Sequence, residues 1–376
     1  MRRNEVRIRP DDERLSYSGR IDWSDREAPV FVYPCTSVNI RFTGNQLKIH
    51  VENHRAYWNN YLGCILDGKQ FSLPLPEKGE ALLEIPVEQT EREEHEALFF
   101  KRQDACHEVK ILGIELEDSA RLLTPQKKSE RRIEVYGDSV SAGEVSEAVD
   151  FVGCEDPAHQ GEYSNSWYSY AWMTARKLHA EIHDIAQGGI ALLDQTGWFC
   201  APDGIPCRTE DEVCSSGVHG VPDTRMGTGM ETIWDKIRYR LDLGKVLDWE
   251  FERYIPQLVI VALGQNDSHP EDYMKVESQG KKAEKWRRHY KTFLGKLRKV
   301  YPEAHIVCCT TLLYHDHAWD QAIGQVVQEL KDERITQYLF RRNGRGTPGH
   351  LRIPEAKEMA EELSAYIESL AIKGWE

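Results

Sequence analysis

No stretch of the chain approaches the ~18 consecutive apolar residues that a membrane-spanning helix needs. The N-terminal run Met1-Arg2-Arg3-Asn4-Glu5 has charge but no apolar core behind it. It does not read as a signal peptide, so a cytoplasmic location is expected. Positive charge is in deficit: 48 Lys and Arg face 62 Asp and Glu, for a net charge of -14. That balance argues against a nucleic-acid groove or an anionic membrane surface and suits neutral ligands. Close Cys-x-x-Cys pairs are missing. The nine cysteines, scattered from Cys35 to Cys309, read mostly as buried free thiols. Cys200, Cys207 and Cys214 are spaced by seven, which fits no usual zinc pattern, so neither a metal nor another cofactor is expected. Also absent are a Gly-x-Ser-x-Gly elbow, a Gly-Lys-Ser/Thr phosphate loop and any internal repeat.

What is present divides into two patterns, and 376 residues suffice for two cores. Residues 1–120 read as β throughout. Val38-Asn39-Ile40-Arg41-Phe42 and Leu47-Lys48-Ile49-His50-Val51 alternate around a turn at Thr43-Gly44-Asn45, and Asp67-Gly68 signals a tight hairpin. This predicts a β-sandwich or jelly roll. Residues 121–132, polar and containing Pro125 and Lys127-Lys128, are expected to form a linker. From 133 to 376 strands and helices alternate, predicting a three-layer α/β/α domain on a parallel sheet. Ile133–Tyr136, Ile182–Ala186, Leu258–Leu263 and Ala304–Cys308 are the strand candidates. Helices are expected near 167–178, capped by Ser164 or Asn165, and over 284–301, 321–339 and 354–372. The region from Trp198 to about Thr232 has no clear period and reads as a long loop.

Three short stretches carry chemistry. Gly137-Asp138-Ser139 follows a strand and precedes a helix-compatible run, so Ser139 projects from the carboxyl end of a sheet strand. An N-cap role is the alternative reading of this serine. Leu258–Leu263 ends in Gly264-Gln265-Asn266-Asp267, and Gly349-His350 precedes the terminal helix. A serine, an amide and a histidine at such loops can converge on one face of a sheet. Together they supply a nucleophile, its base and an oxyanion donor for acyl transfer.

Gly137-Asp138-Ser139, the glycines of Ala186-Gln187-Gly188-Gly189-Ile190, Gly264-x-Asn266-Asp267 and His350 resemble the ordered blocks of the SGNH (GDSL-type) hydrolases. Phe42-Thr43-Gly44, Leu66-Asp67-Gly68 and Lys101-Arg102-Gln103-Asp104-Ala105-Cys106-His107 are similar to the β-sandwich of two-domain carbohydrate esterases of family 2. The resemblance implies Ser139 as nucleophile and His350 as base. It also implies an oxyanion site made by the Ser139 N–H, the Gly188 N–H and the Asn266 amide, with Asp267 bracing the Asn266 loop. Relatives place an aspartate three or two residues before the histidine, where this chain has Thr347 and Pro348. The expectation is therefore a Ser-His dyad oriented by a main-chain carbonyl of 347–349, with Asp316 or Asp320 as the less favoured acids. Trp198 and Trp319 are substrate-binding candidates, and Trp58 beside Asn59 is a further aromatic able to stack on sugar rings. The implied activity is removal of acetyl groups from xylo- or manno-oligosaccharides, with the oligosaccharide as the partner molecule. Two alternatives stand beside it: an esterase or thioesterase for other acyl chains, and a carbohydrate-binding protein with an idle hydrolase fold.

Overall fold

The computed structural model describes residues 5–88, 93–198, 227–240, 243 and 245–375. Cys200, Cys207, Cys214 and most of the loop expected over 198–232 lie outside the described residues.

The alternation read from the sequence becomes two six-stranded antiparallel sheets. In Ser37–Thr43 the side chains of Val38, Ile40 and Phe42 are fully buried, while Asn39, Arg41 and Thr43 face outward. Leu47, Ile49 and Val51 repeat the pattern in the strand Leu47–Arg55 of the other sheet. One core joins Phe31, Val51 and Ile111 of one sheet with Ile40, Leu62 and Phe99 of the other, so the sheets form a sandwich. Asp67 and Gly68 both take positive φ, 51° and 85°, as a two-residue hairpin of primed type requires. The sandwich runs past residue 120: Leu122–Leu123 pairs with Phe42 and Arg41, which takes these two residues out of the expected linker.

The second domain is built on a five-stranded parallel sheet. Its order in space is Glu181–Ala186, Arg132–Gly137, Leu258–Ala262, His305–Cys309 and Ile335–Gln337. Strands covered on both faces can be apolar at every position, and all five residues of Leu258–Ala262 are buried. One face packs Tyr136, Val259 and Val261 under Trp286, Phe293 and Trp319. The opposite face packs Val135, Ile260 and Val307 under Tyr170, Ala175, Met359 and Leu363. This is the expected three-layer arrangement. The Arg132–Gly137 strand has the second strand on one side and the third on the other. After Arg132–Gly137 the chain crosses to Glu181–Ala186 on one side, whereas after its neighbour Leu258–Ala262 it crosses to His305–Cys309 on the other. The two connections diverge and open a crevice at the carboxyl ends, where Gly137-Asp138-Ser139 lies.

Two helix expectations are corrected. The helix expected over 321–339 is His317–Leu330. Lys331 then takes a left-handed conformation at φ 51°, and the β-branched Ile335-Thr336 enters a fifth strand. The helix expected from 167 begins at Tyr170, and Ser169 caps it by accepting from the Trp172 N–H; Asn165 caps only a preceding 3-10 turn.

A buried ion pair crosses the domain boundary. Arg20 of the sandwich lies 3.1 Å from Glu134 of the parallel sheet, and neither side chain is exposed. Arg20 also donates to the carbonyl oxygen of Trp234 and to the Tyr136 hydroxyl. Among the described residues, Cys35, Cys64, Cys106, Cys308 and Cys309 are buried free thiols and Cys154 is exposed.

Candidate active site

The residue that caps the short helix Ser139–Ala142 is Asp138, whose carboxylate accepts from the Val140 N–H at 3.0 Å. Ser139 is therefore the first helical residue. Its hydroxyl is spared capping duty, and its N–H is among the donors a helix leaves free. Asp138 also accepts from Gln265 at 2.7 Å and from the Asn266 amide at 3.2 Å, joining the serine turn to the loop after the third strand. Burial pushes the Asp138 carboxyl up to about 6 against these donors. The Asn266 amide donates as well to the Ile190 carbonyl oxygen at 3.0 Å. Asp267, expected to brace its own loop, reaches further: it accepts from the N–H groups of Leu192 and Leu193 and so ties the Asn266 loop to the glycine loop.

The expectation for His350 is corrected. The group at its Nδ1 is the carboxylate of Asp156, with Oδ2 at 2.5 Å, and not a main-chain carbonyl of 347–349. Asp316 caps the helix His317–Leu330 and Asp320 faces His315, so neither alternative acid serves His350. The Thr347 carbonyl oxygen accepts from the Tyr314 N–H instead. Asp156 is held from both sides: its Oδ1 accepts from the His350 N–H at 2.9 Å and faces Arg352 Nη1 at 2.9 Å. Arg352 is fully buried and also donates to the carbonyls of Ala148 and Glu155. Burial favours a neutral Asp156, but His350 and Arg352 outweigh it and hold the carboxyl well below the usual carboxylate range. Gly349 is what lets the loop come so close. A Cβ there would lie 2.6 Å from Asp156 Oδ1 and 2.7 Å from the Cys154 carbonyl oxygen.

A carboxylate only accepts, so Asp156 places a hydrogen on Nδ1 and leaves Nε2 for proton transfer. Nε2 faces Glu144 Oε1 at 3.9 Å, and the Glu144 N–H donates to the Ser139 carbonyl oxygen. The imidazole thus looks onto the turn that carries the serine. Burial disfavours the charged ring, but Glu144, Asp156 and Asp138 together push His350 up to about 9. Burial in turn pushes Glu144 up to about 7 against the pull of His350.

Gly188 departs from expectation. Its N–H donates to Asp104 Oδ2 at 2.6 Å, so it is satisfied by a carboxylate from the sandwich and is not an open donor. Of the aromatic candidates, Trp198 is exposed and stacks on His269 at 4.1 Å, two residues beyond Asp267. Trp319 is corrected: it is wholly buried against Trp286 and Tyr273, and its Nε1 donates to Asp272, so it cannot meet a substrate. Trp58 packs on His159 at 4.9 Å and borders a cavity of about 10 Å³ with Asp104, Ala142 and Glu144.

The sequence reading missed Asp156, Glu144 and Asp104 as site residues. Asp156 lies 194 positions from His350, so no spacing rule reaches it. Asp104 stands inside a motif already singled out and Glu144 lies just beyond the serine motif, and only the packing of both carboxylates against Gly188 gives them a role.

Residues 17–125 match the family described as carbohydrate esterase 2 N-terminal. Over 97% of its length the chain is 26% identical to the cellulase/esterase CelE of Acetivibrio thermocellus, of which it spans only 40%. Over 96% of its length it is 24% identical to an acetylxylan esterase / glucomannan deacetylase of Cellvibrio japonicus, of which it spans 90%. The structure of a family two carbohydrate esterase from Clostridium thermocellum in complex with cellohexaose aligns with a TM-score of 0.73 at 25% identity, covering 96% of this chain and 100% of that one. Residues of the sandwich thus match the carbohydrate esterase 2 N-terminal family, and along nearly all its length the chain has the fold seen in a family two carbohydrate esterase.

Proposed function

We propose that the protein is a serine esterase that removes O-acetyl groups from oligosaccharides derived from plant polysaccharides, through an acyl-enzyme on Ser139. The observation that carries this reading is the Asp156–His350 pair, whose Nε2 faces Glu144 just beyond the Ser139 turn. In the first half-reaction the Ser139 Oγ attacks the acetyl carbonyl carbon while His350 Nε2 takes the hydroxyl proton. Asp156 keeps the ring in the required tautomer and stabilises the imidazolium. The tetrahedral oxyanion is met by the Ser139 N–H and the Asn266 amide, the latter turning from Asp138 or Ile190 to do so. Collapse expels the sugar hydroxyl, which receives the proton from Nε2. Water then repeats the sequence: His350 takes its proton, hydroxide adds to the acyl carbon, and acetate leaves as Ser139 regains a proton.

The acetyl preference is supported by the acetylxylan esterase / glucomannan deacetylase among the relatives. The sugar is supported by the acetylxylan esterase / glucomannan deacetylase and the cellohexaose-bound carbohydrate esterase among the similar proteins, and by the exposed Trp198 stacked on His269. We read the winding of the first domain as a jelly roll.

The test is a panel of acetylated xylo- and manno-oligosaccharides followed by mass spectrometry, with p-nitrophenyl acetate and octanoate alongside. Acetate is expected to exceed octanoate by orders of magnitude in kcat/KM, since a closed pocket discriminates by roughly 1–3 kcal/mol per methylene. Equal rates on the two esters favour an esterase for longer acyl chains. No turnover of any ester favours a binding protein.

A further inference from the structure

Four consecutive polar residues, Lys101, Arg102, Gln103 and Asp104, are all buried where the sandwich meets the second domain. Such a run is costly unless every group is bonded, and here the bonds lead to the site. Asp104 Oδ2 accepts from the Gly188 N–H and from Gln187 Nε2, each at 2.6 Å, while its Oδ1 accepts from the Cys106 N–H at 3.0 Å. Gln187 is held further by the hydroxyl groups of Tyr57 and Tyr239. The Lys101 ammonium donates to the carbonyl oxygens of Gln103 and Asp104, fixing the turn that aims Asp104 across the boundary. Arg102 reaches the other way, to the Glu147 carboxylate at 2.5 Å and the Ser164 carbonyl oxygen. The segment it grips, 147–164, is the one that delivers Asp156 to His350.

One turn of the first domain therefore holds both the glycine loop beside Ser139 and the arm that carries the histidine's partner. A Cβ on Gly188 would lie 2.8 Å from Asp104 Oδ2 and 2.6 Å from Glu144 Oε2, so the loop and the carboxylates are fitted to one another. We propose that Asp104 is a positioning residue for catalysis, through which the sandwich sets the glycine loop of the site and is thereby part of the catalytic centre as well as a neighbour to it. This rests on the esterase reading above.

The variants are Asp104→Ser and Asp104→Asn in the full chain. Serine can still accept locally from Cys106 but is too short to reach Gly188. Asparagine is isosteric, can turn its amide oxygen to Gly188 and Gln187, and loses only the bond to Cys106. On p-nitrophenyl acetate, which carries no sugar, Asp104→Ser is expected to lose about tenfold or more in kcat, with KM within about threefold. Asp104→Asn is expected to stay within about threefold of wild type. Amide hydrogen exchange in the 186–193 peptide is expected to quicken in the serine variant and not in the asparagine variant. Wild-type kcat in Asp104→Ser, or equal losses in both variants, overturns the proposal. Should Asp104→Ser fail to fold, Tyr57→Phe gives the same split at smaller amplitude, and an unchanged kcat and exchange rate there is equally fatal. If the wild type hydrolyses no acetyl ester, the failure lies with the esterase reading, and the exchange data alone decide whether Asp104 holds the loop.

Discussion

Asp156 Oδ2 lies 2.5 Å from His350 Nδ1 although the two residues stand 194 positions apart in the chain. The carboxylate is also bonded by the His350 N–H and faces Arg352, so its position does not depend on the histidine alone. Asp156→Asn should therefore keep the fold and invert the tautomer preference of the ring. A comparable change in serine proteases costs about 10⁴ in kcat, and a loss of that order is expected here. Asp316→Asn and Asp320→Asn should each stay within about tenfold of wild type on the same assay. Equal losses in all three would remove the special standing of Asp156.

Ser139→Ala should abolish hydrolysis of p-nitrophenyl acetate while leaving the circular dichroism spectrum unchanged. The helix it opens is capped by Asp138, so the hydroxyl has no structural task to lose. Turnover above roughly a tenth of wild type is incompatible with Ser139 as nucleophile.

Asn266→Ala should lower kcat by about 10²–10³ with KM little changed, because an oxyanion donor acts chiefly in the transition state. A raised KM at preserved kcat would make Asn266 a substrate-binding residue.

The acid side of the pH profile should depend on Glu144. His350 must be neutral to accept the serine proton, and the carboxylates around it push it up to about 9. Activity should thus rise with pH toward that value. Glu144→Gln removes the carboxylate facing Nε2, lowers the histidine pKa, and should move the rise in kcat/KM to lower pH by about one unit. Stability carries the opposite face of this shift. A histidine raised above its unfolded value of ~6.5 stabilises fully below that pH, and the contribution fades as pH rises through about 9. Melting curves of wild type and His350→Gln should therefore differ most below about pH 6.5 and converge above about 9.

Much of this was legible in the chain because its signals are local. The alternation of Val38, Ile40 and Phe42 fixes a sandwich face, and the uninterrupted Leu258–Ala262 run fixes a central parallel strand. Gly137-Asp138-Ser139 announces its turn through residues that touch one another in sequence. Asp156 announces nothing, since a lone acid in a polar loop acquires meaning only when Gly349 admits it to the histidine. Trp319 misled for the converse reason. A tryptophan at a helix start looks the same in sequence whether it faces solvent or, as here, packs on Trp286. The strand Ile335–Gln337 was lost inside a predicted helix because three residues are too few to show a period of two.

The contact between Arg20 and Glu134 bears on how the chain comes apart. With neither side chain exposed, removing one partner while the domains stay docked would leave the other charge buried and unpaired, at a cost of about 3–5 kcal/mol. Added salt cannot screen a pair it cannot reach. The sandwich should consequently not behave as an interchangeable cassette. Calorimetry should record one heat-absorption peak for both domains, and Arg20→Met should split it or bring it down. A proteolytic cut between residues 124 and 131 should leave the two fragments travelling together on a sizing column.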